Sequence, residues 1–230
     1  MEWATFFSTI LGAGVSIVTS LVVFGFTSWS ETKKAEAIQK RKSAFLAFNG
    51  FQKLMQISND LANNSLYIDN AFKDADEQGL GDLDPFQKLQ PLVRARVPLE
   101  PLTIDEMYFL VESKNSEVLA EIDLIYRRAL NVEAVIDQFN AMKTDFYSFI
   151  EAKDGSIEPG EGTLAKAKLA GADAKLSRLK GGAMNNLIGQ LLEYLERDCV
   201  ESKRVAEFFL TACQKHFGKD FPQVKLTWEF

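Results

Sequence analysis

The sequence holds one histidine, His216, and two cysteines, Cys199 and Cys213, in 230 residues. One imidazole excludes a metal cage or relay built on several histidines, and two thiols cannot make a disulfide scaffold. Positive charge is also scarce, with 26 Lys and Arg against 32 Asp and Glu. The main affinity term for nucleic acid is phosphate neutralisation, so an acidic chain is not expected to have a nucleic-acid partner. With 6 prolines and 14 glycines the composition is neither collagen-like nor disordered. Tandem repeats are missing, and so is any strand-like alternation before the last few residues.

The chain does have one long uncharged run, over residues 3–30. As a helix its 28 residues reach about 42 Å, more than the ~30 Å apolar slab of a bilayer. Trp3, Phe6 and Phe7 lie at one end and Phe24, Phe26 and Trp29 at the other, which fits aromatic belts at two lipid–water interfaces. A cleaved leader would want a basic start and a small-residue cleavage site, but this chain opens Met1-Glu2. The run therefore predicts an uncleaved transmembrane anchor over residues 1–30. Lys33, Lys34, Lys40, Arg41 and Lys42 follow directly. Positive residues stay inside, so the expected topology in the cell membrane is N-terminus outside and C-terminal domain cytoplasmic. The same five cations are expected to contact anionic headgroups, making membrane lipid the first partner.

Within the run, Ser8, Gly12, Ser16 and Ser20 recur every four residues and set small side chains along one helical stripe. Such a stripe permits close helix contact and predicts a homo-oligomer. Charged residues, the usual mark of an ion path, are absent from it. A pore lined by Thr5, Thr9, Ser16, Thr19 and Ser20 is a second possible use.

Beyond the cations the pattern is helical. Residues 31–73 combine the basic juxtamembrane region with a long amphipathic helix, in which Ala44, Ala47, Phe48, Phe51, Leu54, Met55, Leu61 and Ile68 step by threes and fours. That helix is expected to continue the anchor. Residues 74–102 hold Gly79, Gly81, Pro85, Pro91, Pro98 and Pro101 and read as a loop with one short helical turn near residues 85–92. Thr103-Ile-Asp-Glu106 spells a capping box and opens the next helix. Val118, Ile122, Ile125, Ala129, Val132, Ile136 and Phe139 then form a coiled-coil seam, continued by Phe146 and Ile150 with Met142 or Lys143 in the gap. Residues 163–180 read as an Ala-rich helix interrupted by Gly181-Gly182. A last helix follows from Met184 to Phe217, with Ile188, Leu191, Leu195, Cys199, Ser202, Ala206, Phe209 and Cys213 on one side. The tail from Val224 alternates and reads as extended. The expected fold is all-α: one transmembrane helix, then a cytoplasmic antiparallel helical bundle over residues 103–230, shared with residues 43–73, with coiled-coil-like packing and a short extended C-terminal tail.

Chemistry is harder to find. Gly160-Glu-Gly162 and Gly181-Gly182 lack the Lys and Ser/Thr of a phosphate-binding loop. Asp74, Asp76, Gln78, Gly79 and Asp82 overlap a calcium loop, but its twelfth position is Pro85 instead of Glu. Cys213 and His216 sit three apart without the local turn that a nucleophile requires. Carboxylates such as Glu193 and Glu196 read as a solvated face. No catalytic residue, metal ligand or cofactor is expected. The sequence predicts a single-pass, membrane-anchored scaffold or sensor, not an enzyme, that oligomerises and docks an unidentified cytoplasmic protein partner. The alternative is a membrane effector, a regulated pore or depolarising toxin, held in check by its helical domain.

Overall fold

The computed structural model describes residues 2–92, 98–153, 157–159, 165–167 and 169–228; for residues 2–26, 28, 157–159 and 165–167 it describes the backbone alone. Five helices, α1 (Glu2–Glu77), α2 (Pro85–Lys88), α3 (Ile104–Glu112), α4 (Glu117–Glu151) and α5 (Gly171–Phe217), are joined by a small hairpin of β1 (Ile157–Pro159) and β2 (Ala165–Ala167).

α1 is unbroken over 76 residues, about 114 Å at 1.5 Å per residue. From residue 44 onward its threes-and-fours stripe, including Ala47, Leu54, Leu61 and Ile68, is buried. Just before that point the helix is far less covered: the described side chains from 27 to 42 are exposed except for half-buried Ser30. α1 stops where Gly79, at φ +74°, lets the Leu80 N–H turn back to the Ala75 carbonyl at 2.9 Å. Residues 74–77, expected to be loop, are thus its last turn.

Cross-helix pairs fix the directions. Arg204 reaches Glu121, Arg128 reaches Asp198, Lys180 reaches Asp145 and Lys153 reaches Asp173. Numbers rise on one helix as they fall on the other, so α4 and α5 are antiparallel. Lys40 pairs with Asp220, and Gly50 faces Phe209. α1 and α5 are therefore antiparallel too, and the result is a three-helix bundle. Val118, Ile122, Ile125, Ala129, Val132, Ile136 and Phe139 are all buried in it, and Lys143 occupies the next inward position. The predicted capping box of α3 is present, with Thr103 Oγ1 accepting from the Glu106 N–H at 3.3 Å and Thr103 N–H donating to Glu106 Oε2 at 2.7 Å.

Three further expectations are corrected. The Ala-rich stretch is not helical throughout: Ala165–Ala167 pair antiparallel with Ile157–Pro159, and α5 begins at Gly171. Nor do the two glycines interrupt it, because α5 runs through Gly181 and Gly182 to Phe217. Each glycine costs a helix about 1 kcal/mol, less than the burial of the Met184, Ile188 and Leu191 side chains returns. Cys199, expected on the inward side, is only half-buried.

The tail lies against the bundle. Phe221 is buried, and Val224, Leu226 and Trp228 pack on the core. Trp228 Nε1 donates to Glu207 Oε1 at 2.6 Å, and Gln214 Nε2 donates to the Val224 carbonyl at 3.1 Å.

Candidate functional site: a basic neck and a clasped groove

The neck is the stretch of α1 between the apolar run and the bundle. All five cations, Lys33, Lys34, Lys40, Arg41 and Lys42, are exposed on it. The Lys33 ammonium lies 4.1 Å from the centre of the Trp29 ring, so cation and aromatic present one amphipathic surface. Lys40 and Arg41 also approach Asp220, at 3.6 and 3.9 Å, where the chain leaves α5. These exposed pairs contribute little energy, but they tie the upper neck to the base of the bundle. The stripe Ser8, Gly12, Ser16 and Ser20 lies on the same helix, with its side chains outside the described residues. The predicted anchor falls there as well. Among the described residues no helix is long and apolar enough to cross a membrane.

At the other end of the bundle, the segment at 85–92 is seated between α4 and α5. Phe86, Leu89 and Leu92 are buried. The Phe86 ring meets Phe146 edge-on at 5.4 Å and sits over Gly181, where an added Cβ would come within 2.8 Å of it. The backbone of the segment is held by side chains. Phe86 N–H donates to Asn185 Oδ1 at 2.9 Å, and Lys143 Nζ donates to the Phe86 carbonyl. Asn140 takes both polar groups of Leu92, accepting from its N–H at 2.9 Å and donating to its carbonyl at 3.0 Å. Tyr147 OH donates to Gln90 Oε1 at 3.0 Å. Lys143 is 2% exposed, and burial lowers its pKa to about 8; the Phe86 and Tyr147 rings lie 5.3 and 5.2 Å from its ammonium. On its outer side the segment borders an open groove of about 390 Å³, with Gln87 and Gln90 facing Tyr67, Asn70 and Asp74 of α1. Lys88 bridges that groove to Asp76 at 3.1 Å.

Other ionisable groups are occupied in holding helices together. Asp198 is 1% exposed and accepts from Arg128 at 3.3 Å and from Arg197 at 2.7 Å. Glu106 is buried and takes Lys53 at 3.1 Å, while Lys53 also donates to the Pro101 carbonyl at 3.2 Å. The Cys213 thiol is buried and desolvation pushes its pKa up, the reverse of what a nucleophile needs. His216 is 3.4 Å from Glu112 and packs edge-on against Phe217. Asp74 and Asp76 are helical, so the loop geometry of a calcium site is not formed around them. Among the described residues no three His, Cys, Asp or Glu are grouped to hold a metal.

Sequence reading missed the clasp. It noted Lys143 only as a gap-filler in the seam and passed over Asn140 and Asn185. Each binds a residue 48 or 99 positions away, a separation that spacing rules do not reach. A buried seam position held by lysine was the one available signal, since such a side chain needs a partner. Compared with known proteins, the chain matches no family model, no curated protein and no solved structure.

Proposed function

We propose that this protein is a single-pass membrane scaffold or sensor. In this reading residues 3–30 anchor it in the cell membrane, copies associate through Ser8, Gly12, Ser16 and Ser20, the basic neck rests on anionic headgroups, and the bundle receives a protein partner in the cytoplasm. It binds and positions, and carries out no reaction of its own. The observation that carries the reading is the continuity of α1. One 76-residue helix joins the apolar run to the bundle core with no turn between them, so a displacement or rotation at one end is delivered to the other. The cationic neck lies at the depth where each Lys or Arg near an anionic surface contributes about 1 kcal/mol. Residues 31–43 span about 20 Å of straight helix between the apolar run and the bundle.

The test is in-cell crosslinking of the full chain, followed by separation of membrane complexes and identification of their members. The reading expects homo-oligomers together with a second protein, and expects Gly12→Ile with Ser16→Ile to weaken the homo-oligomers while leaving the bundle folded. A chain recovered only as a monomer would contradict it.

A further inference from the structure

We infer that the α4–α5 groove is a peptide-binding site, held closed in this structure by the chain's own residues 85–92, and that its ligand is a short segment of a partner protein with bulky apolar side chains at the first, fourth and seventh positions. This rests on the scaffold reading for its purpose, because it names the surface on which the partner docks.

Four observations converge on it. The groove reads backbone: Asn140 takes both the N–H and the carbonyl of one residue, while Asn185 and Lys143 take the N–H and the carbonyl of another. Side-chain amides that satisfy main-chain groups recognise a peptide whatever its outward side chains are, as a neighbouring strand would. The groove also has a shaped pocket. Phe86 fills a hole that exists because residue 181 has no side chain, with Phe146 as its wall. Leu89 and Leu92 follow at steps of three and are buried behind it.

The third observation concerns the seated segment. α2 is only 4 residues long, and although it touches α1, an open groove of about 390 Å³ lies between part of the segment and that helix. The bridge across it is Lys88 to an Asp76 side chain that is 62% exposed, a pair of small energetic weight. The fourth is the approach: Gly79, at φ +74°, precedes the segment and supplies a turn that a small change in backbone angle can redirect. A segment whose backbone is held by side chains of α4 and α5, whose outer side borders an open groove along part of its length, and which is led in by a glycine turn is placed to leave its groove without unwinding α4 or α5.

Tethering holds the internal segment at an effective concentration on the order of 1 mM. A free peptide therefore binds the intact chain poorly and binds well once the internal copy is weakened. The experiment uses the full chain in detergent micelles and a fluorescent synthetic peptide, Asp-Pro-Phe-Gln-Lys-Leu-Gln-Pro-Leu, copying residues 84–92. Phe86→Ala with Leu89→Ala should bind this probe at least about tenfold more tightly than the unaltered chain. Adding Asn140→Ala to that variant, or Ala for Phe in the probe, should remove most of the gain. A variant that keeps its helical circular dichroism and cooperative melt yet ignores the probe overturns the proposal. So does a variant that loses its cooperative melt, since the segment would then be core and not a displaceable occupant. Hydrogen exchange on the unaltered chain gives a second reading. The Phe86 and Leu92 amides should exchange at least about a hundredfold faster than those around Leu195, through local opening, and equal protection would also overturn the proposal. None of these readouts depends on the anchor, so failure here is distinct from failure of the membrane reading.

Discussion

Gly181 and Gly182 are neighbours in one helix with opposite requirements. A Cβ on Gly181 would meet the Phe86 ring at 2.8 Å, whereas one on Gly182 meets nothing within 4 Å. Gly182→Ala should therefore stabilise the chain by about 0.5–1 kcal/mol through helix propensity. Gly181→Ala should destabilise it by about 1–2 kcal/mol despite the same propensity gain, because the ring must shift from a packed site. Urea unfolding of the two variants checks the sign of each. The stability of the fold also depends on pH through Lys143. Its pKa is about 8 in the fold, below the 10.5 of an ordinary lysine. Below pH 8 both the native and the unfolded chain hold the proton, and the cost of burying the ammonium is felt in full. Between pH 8 and 10.5 the unfolded chain keeps a proton that the native state has released, so stability from this group rises with pH. The stability of the unaltered chain relative to Lys143→Met should increase between pH 7 and pH 9.5; a difference that stays flat would contradict the assignment.

Among elements, α4 was the most legible. Its seam from Val118 to Phe139 repeats by fours and threes, and the burial follows that count. The α3 start was equally legible, because a capping box is a contact within four residues. What spacing could not supply is the partner of a polar side chain. The glycine pair read as a break for that reason: Gly181 is the floor of a pocket for a residue almost a hundred positions earlier. The 157–167 hairpin was missed because its strands are 3 residues each, too short to display alternation. Asp198 tests how α4 and α5 are joined. Asp198→Asn removes the charge from a buried carboxylate and leaves Arg128, whose side chain is 24% exposed, without its ionic partner. The expected loss is about 2 kcal/mol, below the figure for a fully buried pair because Arg128 retains some access to water. A thermal melt that falls by several degrees would agree, and an unchanged one would show the pair to be dispensable.

On the scale of the whole molecule, the chain is a long shaft with a bundle fixed to one end. The bundle begins at Ala44, its tail turns back along α5, and Asp220 reaches the neck at Lys40 and Arg41. Charge follows the same division: residues 1–42 carry five Lys and Arg against three Glu, and residues 43–230 carry 21 against 29. A cationic neck under an acidic bundle lets an anionic surface attract the first and repel the second, which would hold the bundle away from lipid at the distance that the shaft sets. The proposed docking role and the inferred peptide groove both draw on that placement. The most direct measurement is alkaline carbonate extraction of membranes from cells expressing the full chain. The account predicts that the protein stays in the membrane pellet and leaves it only with detergent; release into the carbonate supernatant would contradict it.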